Sequence, residues 1–146
     1  MAAVPARITV VTIGAHDMAA MRAFYRRLGW PEVATSSDQF ASFNTGGAIL
    51  ALFPFEELAK DGGVPPGGPR TDFRGVTLAI NVPSREAVDA VMEQVRSAGA
   101  RITREPEDAV WGGRSAYFAD PEGNLWEIAW APGTSFDDAG HFVWSP

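Results

Sequence analysis

The sequence predicts an α+β fold assembled from two copies of one supersecondary unit. Three observations lead there. Short β-branched and apolar runs alternate with two segments of helical period, the order of elements in the first half recurs in the second, and a stretch crowded with glycine and proline separates the halves. At 146 residues, 46% apolar and 21% charged, the chain is long enough for a substantial core. Neither half could close that core alone, so the halves are expected to pair.

The first run, Ile8-Thr9-Val10-Val11-Thr12-Ile13-Gly14, is rich in β-branched residues and ends on glycine, as a strand does. Asp17 then stands at an N-cap position. Met18, Met21, Tyr25 and Leu28 recur at helical spacing up to Gly29, and Trp30-Pro31 stops any continuation because proline disfavours helix at the residue before it. Gln39–Asn44 and Ala48–Phe53 flank Thr45-Gly46-Gly47 and read as a hairpin. From 54 to 74 the density of glycine and proline forbids regular structure throughout, with one helical turn expected at Glu56–Lys60.

The pattern then restarts. Gly75–Asn81 is a strand, and Ser84 caps a helix whose stripe is Val88, Val91, Val95 and Ala98, ending at Gly99. Arg101–Thr103 is a short strand, Trp111-Gly112-Gly113 a turn, and Ser115–Phe118 a strand. Asp120-Pro121-Glu122-Gly123-Asn124 carries proline at the second turn position, and Leu125–Trp130 is the last strand. Module one is therefore 8–53, the linker 54–74, module two 75–130 and the tail 131–146, all within one domain.

Charge and composition narrow the function. Twelve basic residues against 18 acidic give a net charge of -6, with Arg22, Arg26 and Arg27 grouped on one solvated helix face. Nothing here forms an electrostatic footprint for nucleic acid or an anionic membrane. The absence of cysteine removes disulfides, thiolate metal sites and cysteine nucleophiles. No signal peptide is read at Met1–Arg7, and no apolar run approaches the roughly 18 residues of a membrane span, so the expected compartment is the cytoplasm.

Two motifs sharpen the fold. Ile13-Gly14-Ala15-His16-Asp17 followed by Ala23-Phe24-Tyr25-Arg26-Arg27-Leu28-Gly29-Trp30 resembles the strand-to-helix signature of the glyoxalase/bleomycin-resistance/dioxygenase (vicinal oxygen chelate) superfamily. Phe118-Ala119-Asp120-Pro121-Glu122-Gly123-Asn124-Leu125-Trp126-Glu127 is similar to that family's closing hairpin, and with the repeat the resemblance covers 8–130. It implies two βαβββ modules whose mixed sheets curl around a cup-shaped cavity. Many members are homodimers. Most hold a divalent metal between the first and last strands of each module, while a bleomycin-resistance-type subset binds small molecules without one.

The resemblance places the four ligand positions near Val10, Ala51, Val76 and Glu127. Only Glu127 bears a donor suited to such an ion, and a slip of two residues rescues none of the other strands. No metal and no cofactor are therefore expected. His16 reads as a surface residue at a strand-to-helix junction, and His141 as a residue of the tail.

Alternation in step with Val10 and Glu127 gives a cup lined by Ile8, Thr12, Ile49, Ala51, Phe53, Val76, Leu78, Ile80, Leu125 and Ala129, with Arg114 adding polarity and Trp111 at the rim. Trp126 and Trp130 point the other way. The expected partner is a small hydrophobic or aromatic molecule, with Glu127, if buried among apolar neighbours, raised in pKa and suited to act as a base or cation partner. The alternatives are a lyase, isomerase or dioxygenase-type enzyme using Glu127 as base or sole remaining metal ligand, and a structural dimer with a filled cup.

Overall fold

The computed structural model describes residues 4–68 and 72–144; positions 69–71 of the expected linker, and both extreme termini, lie outside them. Module one contains β1 (Val10–Ala15), α1 (Met18–Arg27), β2 (Ala41–Phe43) and β3 (Ile49–Pro54). The connection carries α2 (Phe55–Asp61), longer than the single turn expected. Module two contains β4 (Thr77–Asn81), α3 (Arg85–Ser97), β5 (Arg101–Asp108), β6 (Arg114–Ala119) and β7 (Leu125–Trp130). The tail adds a hairpin, β8 (Thr134–Phe136) and β9 (Phe142–Trp144), where only a tail was expected.

The local signals act as read. Asp17 Oδ1 accepts from the Ala20 amide at 2.9 Å, and Ser84 Oγ accepts from the Ala87 amide at 3.1 Å, so α1 and α3 each start on a side-chain cap. Gly29 and Gly99 follow the helices at φ 84° and 89°, a conformation that penalises any residue with a Cβ. β5 runs past the expected Thr103 to Asp108. It is an edge strand, so Pro106 removes no ladder donor that matters, and two register shifts along β5–β6 break its alternation.

The sheets are mixed, with orders β1-β3-β2 and β4-β7-β6-β5, and their registers repeat. β1 runs parallel to β3 with Thr12 opposite Ala51, as β4 runs parallel to β7 with Ala79 opposite Glu127. β2 lies antiparallel to β3 with Ser42 opposite Ala51, as β6 does to β7 with Tyr117 opposite Glu127. The registers thus repeat for these strands, but module one has three strands where βαβββ requires four, the counterpart of β5 being reduced to a bridge between Glu32 and Phe43.

A shared core joins the modules. Phe24 and Tyr25 of α1 reach the strands of module two, with ring centroids 6.3 Å from Phe118 and 6.0 Å from Trp126. Met21, Phe43, Leu52, Val88, Met92 and Ile128 complete a fully buried set drawn from both halves, each worth about 1.5–3 kcal/mol in burial.

Polar bonds fix the join. Asp120, only 3% exposed, accepts the Tyr25 hydroxyl at 2.7 Å and the Asn124 side-chain amide at 2.8 Å. It also accepts the backbone amides of Glu122 and Asn124, while the Trp126 indole donates to the Tyr25 oxygen at 3.0 Å. Glu122 takes the backbone amides of His16 and Asp17, both at 2.8 Å. The two sequence motifs are therefore two halves of one structural lock.

Candidate functional site

Alternation on the second sheet turns Thr77, Ala79 and Asn81 of β4, Glu127 of β7, and Ser115 and Tyr117 of β6 away from the helices. Across this face runs a row of polar side chains. The Tyr117 hydroxyl donates to Glu127 Oε2 at 2.8 Å, and the Arg104 guanidinium lies 5.1 Å from the centre of the Tyr117 ring. Arg104 also donates to Ser115 Oγ at 2.6 Å and pairs with Glu107. Burial pushes the Tyr117 phenol above its usual pKa, its bond to the Glu127 carboxylate adds to this, and Arg104 opposes it.

Glu127 is half-buried and sits at the centre of the row, where its neighbours are polar rather than the apolar set expected. One carboxylate oxygen is held by the phenol. The other accepts no hydrogen bond among the described residues and is open to a ligand donor. The carboxylate is thus oriented by one partner and able to bind, or take a proton from, a second.

The first sheet carries the matching face. Val10, Thr12, Ala51 and Phe53 share it with Ser42, and Phe53 meets Phe40 edge-on at 5.8 Å. Val10 is 47% exposed, whereas Ala51 is fully buried.

Several expected positions differ. Val76 precedes β4 and is 65% exposed, and Leu78, opposite Trp126, points with Ile80 toward the helices. The true neighbour of Glu127 on β4 is Ala79. Parity counted within one strand does not carry to another, because only the pairing register relates them. Ile8 lies before β1 and is exposed.

Arg114 also faces the helices, held by Asp89 of α3 at 2.9 Å and Asp108 at 3.3 Å, so it lends no polarity to the face of Glu127. The Trp111 ring lies over Gly113 in the β5–β6 turn and is 53% exposed. Trp126 and Trp130 do pack on the helix side, with Arg85 of α3 over the Trp130 ring.

The pairing register sets Thr12 opposite Ala51 as it sets Ala79 opposite Glu127. One carboxylate with a hydroxyl and two methyl groups does not suit a divalent ion. The histidines stand elsewhere: His16 is exposed and stacks on Phe55 at 4.2 Å, and His141 meets Asp137 in the β8–β9 turn. Among the described residues no group of three or more His, Asp or Glu is placed to hold a metal.

Residues of β1 and β4 together line two clefts. One, of about 560 Å³, lies against the turn before β3 and under the β8–β9 hairpin; the other, of about 450 Å³, lies against the turn before β7. Leu78 lines both, and Thr12 and Val76 line the second. Sequence reading missed Tyr117, Arg104 and the hairpin. Tyr117 was reachable by stepping two strands in register from Glu127; Arg104 lies beyond a bulge that no pattern announced.

Comparison with known proteins places this geometry. The profile of the Glyoxalase/Bleomycin resistance protein/Dioxygenase superfamily matches residues 7–128. The anthracycline biosynthesis protein DnrV of Streptomyces peucetius is 29% identical over 126 residues, covering 83% of this chain and 45% of that protein. The chain thus spans less than half the length of that relative. A glyoxalase-related enzyme from Fulvimarina pelagi superposes with TM-score 0.85 at 28% identity, over 97% of this chain and 100% of the other. A glyoxalase/bleomycin resistance protein/dioxygenase from Nocardioides does so with TM-score 0.78 at 30% identity, over 91% and 88%.

Proposed function

We propose that this chain, which belongs to the Glyoxalase/Bleomycin resistance protein/Dioxygenase superfamily, binds a small hydrophobic or aromatic molecule without a metal centre, anchoring it through Glu127, Tyr117 and Arg104. One observation carries the reading. Of the four positions the repeat equates, only Glu127 bears a metal-type donor, and that carboxylate is bonded to a tyrosine hydroxyl. The similarity to a protein named for anthracycline biosynthesis supports a small-molecule ligand. A second copy of the chain is the partner that covers the exposed apolar positions Val10, Phe40 and Val76.

The test is protein purified without chelator, assayed for metals and titrated with planar aromatic compounds by tryptophan fluorescence. Binding at substoichiometric metal is expected, weakened about tenfold by Glu127→Gln if one charge-assisted hydrogen bond is lost. Stoichiometric Fe, Mn, Ni or Zn would sink the metal-free reading; failure of every planar compound to quench would sink the binding reading.

A second reading, a lyase or isomerase, is favoured by the free oxygen of Glu127. A carboxylate held by one phenol and open on its other side is suited to remove a proton from a carbon next to a carbonyl, with Tyr117 oriented beside it. Deuterium exchange into an acidic C–H of a bound ketone, abolished in Glu127→Gln, would support it; exchange unchanged in that variant would exclude it.

A further inference from the structure

The larger cleft is not lined by Glu127, Tyr117 or Arg104, although β4 and β7 contribute to it and Ala79 and Asn81 come from the face of Glu127. Its floor is Val11, Leu50, Leu78 and Ile80, side chains that face the helices rather than the Glu127 face. Trp30 and Trp126 form an aromatic corner, their rings 5.4 Å apart and 81° to one another. A volume of about 560 Å³ suits a ligand of several fused rings, within the roughly 300–1,000 Å³ of small-molecule sites.

Two further features point to an occupant. Asn44 and Asn81 line the cleft, and neither side-chain amide bonds to any described residue, so both can donate to and accept from a ligand. Above them Phe136 and Phe142 pair across the β8–β9 hairpin at 5.8 Å and also line the cleft. The hairpin is a separate two-stranded sheet, too small to be stable by its own pairing and expected to gain from an apolar surface beneath it.

We propose that this cleft is a second ligand site, taking a planar aromatic molecule whose carbonyl or phenolic oxygens are read by Asn44 and Asn81 and whose outer face is covered by Phe136 and Phe142. Trp30 and Trp126 supply the ring contacts. The site is independent of Glu127 and does not need a second copy of the chain.

The test compares anthraquinone-2-sulfonate with anthracene-2-sulfonate, which shares the ring shape but lacks the carbonyls, by calorimetry on the full chain. The variants are Asn44→Ala/Asn81→Ala, Phe142→Ala and, as control, Val110→Ala. Losing two neutral hydrogen bonds should weaken the quinone by roughly tenfold or more and leave the anthracene nearly unchanged. Phe142→Ala, at an exposed position, should weaken both by about fivefold, and Val110→Ala, outside the cleft, should leave both unchanged. Quinone affinity unaffected by the asparagine and phenylalanine changes, or no binding of either compound, would each overturn the proposal.

Discussion

Replacing Tyr25 with phenylalanine removes a single oxygen from the join between the modules. That oxygen donates to Asp120 at 2.7 Å and accepts from the Trp126 indole at 3.0 Å. Trp126 is 6% exposed and Asp120 3%, so neither recovers its partner from bulk water. Losing a hydrogen bond to a buried charge costs about 1.5–3 kcal/mol, and stranding the indole N–H about 1–3 kcal/mol more. The ring itself stays, so the cavity created is only the size of the oxygen. A loss of about 3–5 kcal/mol results, a large part of the roughly 5–15 kcal/mol that holds such domains folded. At about 2–4 °C per kcal/mol, Tm should fall by roughly 6–20 °C. Guanidinium unfolding at pH 7, followed by circular dichroism and tryptophan fluorescence, measures it. A loss under about 1 kcal/mol at unchanged m would refute the lock. A double-mutant cycle with Asp120→Asn isolates the pair, and additive losses would show that the two residues do not act together.

Two other perturbations follow from the same packing. At Gly113 an added Cβ would stand 1.9 Å from the Trp111 ring and 2.3 Å from the Trp130 carbonyl oxygen, so Gly113→Ala must move backbone, at about 2–4 kcal/mol. Gly14→Ala meets the Phe55 ring edge at 2.9 Å, a side chain able to give, and should cost less; thermal melts showing the reverse order would contradict the geometry. The two tyrosines provide a pH test. Burial, then the charge of Asp120, pushes Tyr25 well above its usual pKa of 10.0, and burial with the Glu127 bond raises Tyr117. Because both folded values lie above the unfolded one, their contribution to stability is complete below about pH 10 and is lost as pH rises through the folded values. Ultraviolet titration should show little tyrosinate at pH 10 in the folded protein, and half ionisation there would count against both environments.

Much of the fold was legible because its signals are local. Asp17 and Ser84 cap because a short polar side chain reaches the amide three residues on, and Gly29 and Gly99 stop helices because only glycine takes their φ cheaply. The β8–β9 hairpin was not legible. Its strands have three residues each, too few for a period, and they depend on Phe136 meeting Phe142 across a turn that Asp137 closes by accepting the Ala139 and His141 amides. β5 hid its length behind Pro106 and a bulge.

The site was legible only at Glu127, and the reason shows where the chemistry of the chain resides. Val76 was placed beside Glu127 by the resemblance and Leu78 by alternation in step with it, whereas the pairing register sets Ala79 there. Aligning Ile49–Phe53 with Leu125–Ala129 sets Thr12 against Ala79, and no slip of one strand survives that comparison. The same alignment shows what duplication left unequal. Module one has Ala51 where module two has Glu127, and Ser42 where module two has Tyr117. The aromatic and aliphatic positions stay matched, with Phe43 opposite Leu50 as Phe118 is opposite Trp126. Core packing constrains both copies alike, since each must cover helices in one shared interior, whereas the outward face is free to diverge. One copy keeps an apolar, small-residue face and the other a carboxylate, a phenol and a guanidinium in contact.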